Sequence, residues 1–438
     1  MIPELWSAPH ADRPVDAVLT LPGSKSVTNR ALVIAALAEA PSIVRGPLRS
    51  RDTLLMAAGL RALGTHIEDL AGDAAGVAAG DDAGDWVIEP GPFKGGAEIH
   101  CGLAGTVMRF LPPVATLADG PVRFDGDPRA RERPMRPLIE ALRDLDVRVD
   151  DDGRGALPFT VDSGGEARGG RVRLDASASS QFVSALLLTG AAWPHGIAVH
   201  HVGPPVPSLP HIAMTTAMLR AAGAGVDDSE PGVWRVHPSL LHPGEVVIEP
   251  DLSTAAPFLA AALVSGGRVV IRDWPAVTHQ AGAALRDLLA QMGAAVSHGP
   301  EGLTVTGTGA VLGLDADLHD VGELTPVLAA LAALADSPSS LRGVAHLRGH
   351  ETDRLAALSE ELNRLGGDVT QTADGLEIRP ATLRAGRFGT YDDHRLAHAG
   401  AVLGLAVPGV LVENIATTAK TLPDFPGLWA AMLAGRAR

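Results

Sequence analysis

Six times along the 438-residue chain, a short polar head rich in Gly, Ser or Asp runs into an apolar stretch of helical length dominated by Ala and Leu. The six are GSKSVTNRALVIAALA from Gly23, GLAGTVMRFLPPVATLA from Gly102, SASSQFVSALLLTGAA from Ser177, DLSTAAPFLAAALVSGG from Asp251, DVGELTPVLAALAALAD from Asp320 and DDHRLAHAGAVLGLAVPG from Asp392. Their spacing of roughly 70 to 80 residues exceeds that of any solenoid repeat, which makes each unit a small α/β subdomain. Helices that are apolar all round, VLAALAALA above all, belong between sheets or other helices.

Between the heads lie alternating strand-like segments (VRFDG, RVRLD, WRVHP, EVVIEP, GRVVIRD, LTVTG, LEIRP) and a second set of helices. RDTLLMAAGLRALG, PMRPLIEALRDLD, HIAMTTAMLRAAG, HQAGAALRDLLAQMG and TDRLAALSEELNRLG place apolar residues at i, i+3, i+4 and i+7, and most close on Gly. These lie partly at the surface, so strands are expected outside and the first helices inside. Six units divide three and three, with a boundary near EVVIEPDLS and a second crossing near Leu21 and Pro22. The expected lobes are 23–248, and 1–22 with 249–438.

With 46% apolar residues but only 3% aromatics, the core must be built from Ala, Leu and Val. A net charge of −15 without a basic tail argues against nucleic acid and anionic lipid as partners. A single cysteine, Cys101, excludes an internal disulfide and any Cys-based metal cluster, and points to a reducing compartment, the cytoplasm. The start of the chain lacks a basic n-region, and no apolar run approaches the roughly 20 residues of a membrane span.

The polar heads are where chemistry is expected. Ser24 or Ser26 ahead of an apolar helix is an N-cap signal, and exposed helix N-termini collect anions. Lys25, Ser26 and Arg30 bring a cation, a hydroxyl and a guanidinium within about one turn; the pattern is not a P-loop, because Gly23 stands alone. In DPRARERPMRPL, Arg129, Arg131 and Arg133 alternate, which on an extended segment points them to one side. SASSQF supplies Ser179, Ser180 and Gln181 as neutral donors, more than capping alone requires.

In the second half, Glu323 lies in DVGEL, His350, Glu351, Asp353 and Arg354 in GHETDR, His394 and Arg395 in DDHR, and Lys420 in AKTLPDF. Carboxylates beside cations suit general acid/base work on anionic substrates, with a surface ion pair the plainer expectation for Asp353. The pairs His346/His350 and His394/His398 have the i, i+4 spacing of metal ligands but lack an HExxH pattern, and no metal is expected. Cys101 is expected to be a small buried thiol rather than a nucleophile.

Taken together, LPGSKSVTNRALVIAALA, GLAGTVMR, DPRARERP, SASSQF, GHETDRL, YDDHR and AKTLPDFP resemble the 3-phosphoshikimate 1-carboxyvinyltransferases, or EPSP synthases, in the same order over essentially the whole chain. The resemblance implies a two-domain inside-out α/β barrel of six repeated βαβαββ-like units, three per domain, with the active site in the inter-domain cleft. It implies transfer of the enolpyruvyl group of phosphoenolpyruvate to the 5-hydroxyl of shikimate 3-phosphate by addition and elimination, without metal or cofactor, by a monomer.

By motif position, the resemblance implies that Lys25, Ser26, Arg30, Ser179, Ser180, Gln181, Ser208, Glu323 and His350 meet shikimate 3-phosphate. Lys25, Gly105, Arg129, Gln181, Arg354, His394, Arg395 and Lys420 would meet phosphoenolpyruvate, and Glu323, Lys25 and Glu351 would move protons. The sequence departs from the common pattern at Leu103, where Asn is frequent, at His350 (Lys), at His211 (Tyr) and at Glu323 (Asp). The alternatives are the sister enzyme acting on UDP-N-acetylglucosamine, which uses a cysteine in the loop corresponding to DPRARERP, and a non-catalytic anion-binding relative of the same fold.

Overall fold

The computed structural model describes residues 4–70 and 84–435. The chain forms two compact units, Gly23–Ile248 and a discontinuous one made of Met1–Pro22 and Glu249–Arg438. Each has its own hydrophobic core, built around Phe110, Phe182 and Trp193 in the first and around Phe258, Phe425 and Trp429 in the second.

One topology recurs. Strands Gly170–Leu174 and Ile197–His201 run parallel, joined by helix Gln181–Gly190. Helix Leu209–Ala221 follows, and strands Val226–Asp227 and Val233–Val236 complete the sheet, the last pairing antiparallel with both of its neighbours. This is βαβαββ with sheet order first, second, fourth, third. Strands Glu98–His100, Val122–Asp125, Arg148–Asp150 and Phe159–Asp162 repeat it, with helices Gly105–Ala115 and Arg136–Asp144 between them. So do Asp315–Asp317, Ser339–Arg342, Asp368–Gln371 and Leu376–Arg379, around helices Thr325–Ala333 and Arg354–Arg364.

The other three sheets explain why one unit is discontinuous. The sheet of Ser42–Arg45, His66–Asp69 and Trp86–Glu89 takes its first strand from Glu245–Val247, far along the chain. In the other unit, Asp16–Leu19 is the first strand beside Arg268–Ile271. The last repeat has Gly386–Phe388 parallel to Val410–Glu413 but, among the described residues, no final strand pair, and Leu5–Ser7 pairs antiparallel with Val410–Glu413 instead. Among the described residues the strands thus form six separate hydrogen-bonded sheets.

The first helix of each repeat is the interior one. Every residue of Gly105–Ala115 and of Thr325–Ala333 is buried, whereas Arg136–Asp144 buries only Leu138, Ile139, Ala141 and Leu142. Small residues let these interior helices lie close to the sheets: a Cβ on Gly400 would sit 2.8 Å from Val412 Cγ2 and 3.0 Å from Phe388 Cδ1. Each fully buried Leu or Val contributes roughly 1.5–3 kcal/mol, and an aromatic-poor core must collect many of them.

Two helices differ from expectation. The segment from His279 opens as a 3₁₀ turn, Ala281–Ala284, before helix Leu285–Gln291. Helix Phe425–Leu433 was not anticipated, although Asp424, which accepts from the Gly427 N–H, and Pro426 mark its start. No helix among the described residues is long and apolar enough to cross a membrane.

Candidate active site

In the Gly23–Ile248 unit, Ser24 caps helix Lys25–Ala36 by accepting from the Val27 N–H. The Lys25 ammonium lies 3.4 Å from Asp52, a buried carboxylate in the first turn of helix Arg51–Ala62. Arg30 is only 1% exposed. Its Nε donates to Thr215 Oγ1 (2.8 Å), Nη1 to the Ser26 carbonyl (3.0 Å), and Nη2 to the His211 carbonyl (3.0 Å) and Ser184 Oγ (3.4 Å), while Phe110 lies 5.2 Å from its centre. No carboxylate among the described residues pairs with it, and burial pushes its pKa down to about 9.

Ser179 and Gln181 open helix Gln181–Gly190 together. Ser179 Oγ accepts from the Gln181 N–H, and Arg109 Nη1 donates to both Ser179 Oγ (3.3 Å) and Gln181 Oε1 (2.9 Å). Arg109 is buried, with its guanidinium 5.0 Å from the Phe182 ring. It was not among the candidates, although GLAGTVMR contains it. Ser180 is buried beside them. Ser208 adopts the left-handed conformation, φ 55°, at the start of helix Leu209–Ala221, a state that costs a non-glycine residue of order 1 kcal/mol or more and clusters at functional positions.

The alternating arginines are a correction. Pro128–Glu132 is a 3₁₀ helix with Pro128 at its first position, so the extended geometry that would align them does not form. Arg129 pairs with Glu132 at the surface, Arg131 grips Asp125 with two bonds of 2.9 Å, and Arg133 turns inward to the Leu103 carbonyl. Gly105 is the first residue of its helix; a Cβ there would lie 3.0 and 3.1 Å from the Arg133 Nη atoms and 3.2 Å from Gln181 Oε1. Cys101 is buried, and burial together with Asp125 pushes its thiol up, away from the thiolate a nucleophile needs.

In the other unit Arg354 and Lys420 are held by carboxylates. Arg354 opens helix Arg354–Arg364 and donates from Nε and Nη2 to Asp393 (2.7 and 3.2 Å), from Nη2 to Glu351 (3.0 Å), and approaches His350 Nδ1 at 3.3 Å. Burial opposes its charge, but Asp393 and Glu351, aided by Glu323, outweigh that and hold it above the ordinary arginine value. Lys420, at the end of the Ile415–Lys420 turn, donates to Glu351 at 2.6 Å. Asp353 caps its helix through the Ala356 N–H and pairs with Arg348.

Asp393, fully buried, also caps helix His394–Ala406 through the Arg395 N–H. His394 Nδ1 lies 3.5 Å from it. Arg395 donates to the Ser253 carbonyl and Oγ, both at 2.8 Å. Burial lowers its pKa, against the pull of Asp251, Glu323 and Asp393. Just ahead, Tyr391 and Asp392 are both left-handed, and the Tyr391 hydroxyl donates to buried Glu361 at 2.8 Å. Glu323 sits half-buried on the Gly322–Leu324 turn, near enough to act electrostatically on Arg354 and Arg395.

Most candidates therefore sit at or just ahead of helix N-termini: Lys25, Ser26, Gly105, Ser179, Ser180, Gln181, Glu323, His394 and Arg395 at interior helices, Ser208 and Arg354 at the second helices, while Arg129 and Lys420 lie on 3₁₀ turns. Arg354 joins His350, Glu351 and, through Glu351, Lys420 to Asp393, which also meets His394 and the Arg395 N–H and which sequence reasoning missed because its partner Arg354 is 39 residues away. Lys94, by contrast, is an exposed loop residue. Among the described residues no group of three or more His, Cys, Asp or Glu side chains is arranged to hold a metal ion.

The EPSP synthase (3-phosphoshikimate 1-carboxyvinyltransferase) family model matches residues 9–429. Two structures of EPSP synthase from Acinetobacter baumannii superpose with TM-scores of 0.78 at 25% identity, one covering 98% and the other 99% of both chains. The enolpyruvyl transferase NikO from Streptomyces tendae shares the fold, with a TM-score of 0.74 at 19% identity over 98% of both chains. Among the described residues, five βαβαββ repeats and a shorter sixth, cation-lined helix ends and a family match over nearly the whole length agree, and the chain belongs to the EPSP synthase family of enolpyruvyl transferases.

Proposed function

We propose that Glu323, Lys25 and Glu351 carry the proton transfers of the family's reaction, in which the enolpyruvyl group of phosphoenolpyruvate moves to the 5-hydroxyl of shikimate 3-phosphate. The observation that supports this best is Glu351 bound by two cations, Lys420 at 2.6 Å and Arg354 at 3.0 Å. An arriving anion competes with Glu351 for those cations, and a carboxylate deprived of them takes up a proton more readily. Substrate binding thereby readies an acid.

In the addition step, Glu323 takes the 5-hydroxyl proton, the oxygen attacks C2 of phosphoenolpyruvate, and C3 gains a proton from Glu351 or Lys25. In the elimination, C3 gives a proton back, the C2–O bond to phosphate breaks, and inorganic phosphate leaves. Arg129, Arg354, His394, Arg395, Lys420, Gln181, Lys25 and the Gly105 backbone would hold phosphoenolpyruvate. Ser26, Ser179, Ser180, Ser208, His350 and Lys25 would hold shikimate 3-phosphate, with Arg30 lending its charge from behind them.

The UDP-N-acetylglucosamine alternative loses support because its cysteine is missing from the Arg129 loop and Cys101 is buried. The same reading places the protein in the cytoplasm as a monomer, for which light scattering should return 45.1 kDa. Phosphate release is expected only when phosphoenolpyruvate and shikimate 3-phosphate are both present. Folded protein inert with that pair but active with UDP-N-acetylglucosamine would overturn the assignment.

A further inference from the structure

Arg133 stands outside the substrate contacts proposed above, yet it is only 5% exposed. Its Nη1 donates to the Leu103 carbonyl at 3.2 Å, its Nε is buried without a hydrogen-bond partner, and no carboxylate among the described residues pairs with it. The guanidinium packs against Gly105, the first residue of helix Gly105–Ala115. That helix end carries partial positive charge, so a buried cation beside it is unfavourable both by desolvation and by repulsion. Both costs fall when an anion arrives at the same point.

A neighbouring amide lies at the same end, with Gln181 Oε1 3.2 Å from where a Cβ on Gly105 would sit. Arg109 donates to Gln181 Oε1 at 2.9 Å, which leaves the Gln181 NH₂ as the group able to donate to a ligand. Arg133 ties the loop that precedes the helix through the Leu103 carbonyl. Leu103 supplies no polar side chain there, so the backbone it belongs to must be placed by something else, and Arg133 is bonded to it.

We propose that Arg133 is a positioning residue for phosphoenolpyruvate: it fixes the Leu103–Gly105 backbone and sets the positive potential that the incoming anion neutralises. The proposal rests on the reading that phosphoenolpyruvate lies against Gly105. A purely structural tie would stabilise the fold without favouring either substrate.

The test is steady-state phosphate release by the full-length protein, with KM measured for each substrate in wild type, Arg133→Gln and Arg133→Lys, alongside thermal melting. In Arg133→Gln the KM for phosphoenolpyruvate should rise about ten- to a hundredfold, the range for losing a charged hydrogen-bonding group, while the KM for shikimate 3-phosphate stays unchanged. Arg133→Lys should fall between, since an ammonium keeps the charge but not the fork. A folded Arg133→Gln protein with unchanged phosphoenolpyruvate KM, or with equal rises for both substrates, overturns the proposal. Failure of both variants to fold assigns Arg133 to stability and overturns it too. A wild type inert with the pair counts against the underlying reading instead.

Discussion

Asp393 both pairs with a buried arginine and caps a helix, and its removal should show in stability and in substrate binding separately. It is fully buried, accepts from Arg354 at 2.7 and 3.2 Å, and caps helix His394–Ala406 through the Arg395 N–H at 2.9 Å. Asp393→Ala removes one partner of a buried pair, which costs about 3–5 kcal/mol, and an N-cap, which costs about 1 kcal/mol more. Asp393→Asn caps as well as Asp but loses the charge, so it should recover about that last 1 kcal/mol and little else. Urea unfolding of the three proteins measures this. Both variants should also raise the KM for phosphoenolpyruvate, because Arg354 is left held only by Glu351 and His350. If Asp393→Ala unfolds within about 0.5 kcal/mol of wild type, a change typical of surface positions, or if Asn and Ala are indistinguishable, the clamp-and-cap reasoning is wrong.

His398 is fully buried beside Phe425, neither ring nitrogen finds a partner among the described residues, and burial, with Arg395, lowers its pKa well below the ordinary value. The unfolded chain then binds the proton that the folded one refuses, so stability should fall as pH drops below the unfolded value of about 6.5, by up to about 1.4 kcal/mol per pH unit. His398→Leu should match or exceed wild type at pH 7.5, and its advantage should grow at pH 5.5; equal pH slopes in urea titrations would refute this. Lys25→Arg keeps the charge near Asp52 but replaces a compact ammonium with a planar fork, so most turnover should vanish, and near-normal kcat would remove Lys25 from catalysis. Cys101 should resist iodoacetamide at pH 8 in the native protein and react in urea; rapid native labelling with loss of activity would contradict its burial.

Much of the site was legible because its parts are local. Ser24 before Lys25 is a cap that reaches only three residues along the chain, to the Val27 N–H, whereas Asp353 and Asp393 also cap their helices but were not read as caps, the first being expected in a surface ion pair. Such signals survive in sequence because helix ends need a side-chain acceptor wherever they occur. The arginines of the Pro128–Glu132 turn were misjudged for the opposite reason. Alternation implies a shared side only in extended backbone, and a 3₁₀ turn, favoured by Pro128, places Arg129 at the surface and Arg133 inside. Arg109 and Arg133 went unassigned because their partners, Gln181 and Leu103, lie 72 and 30 residues away.

The sequence alone determined that six helices would be buried, since stretches such as VLAALAALA have no polar face to turn to water. It also placed polar groups at the starts of those helices. Which strand completes which sheet was decided only in three dimensions. Leu5–Ser7, Asp16–Leu19 and Glu245–Val247 are three or four residues long and join repeats far away in the chain. A strand that short pairs through backbone groups common to all residues, so its choice of neighbour is set by where the packed helices leave an unpaired edge. The same holds for charge: a net of −15 says what the chain avoids, while burial and long-range pairing decide which arginines keep a carboxylate and which are left to meet an anion.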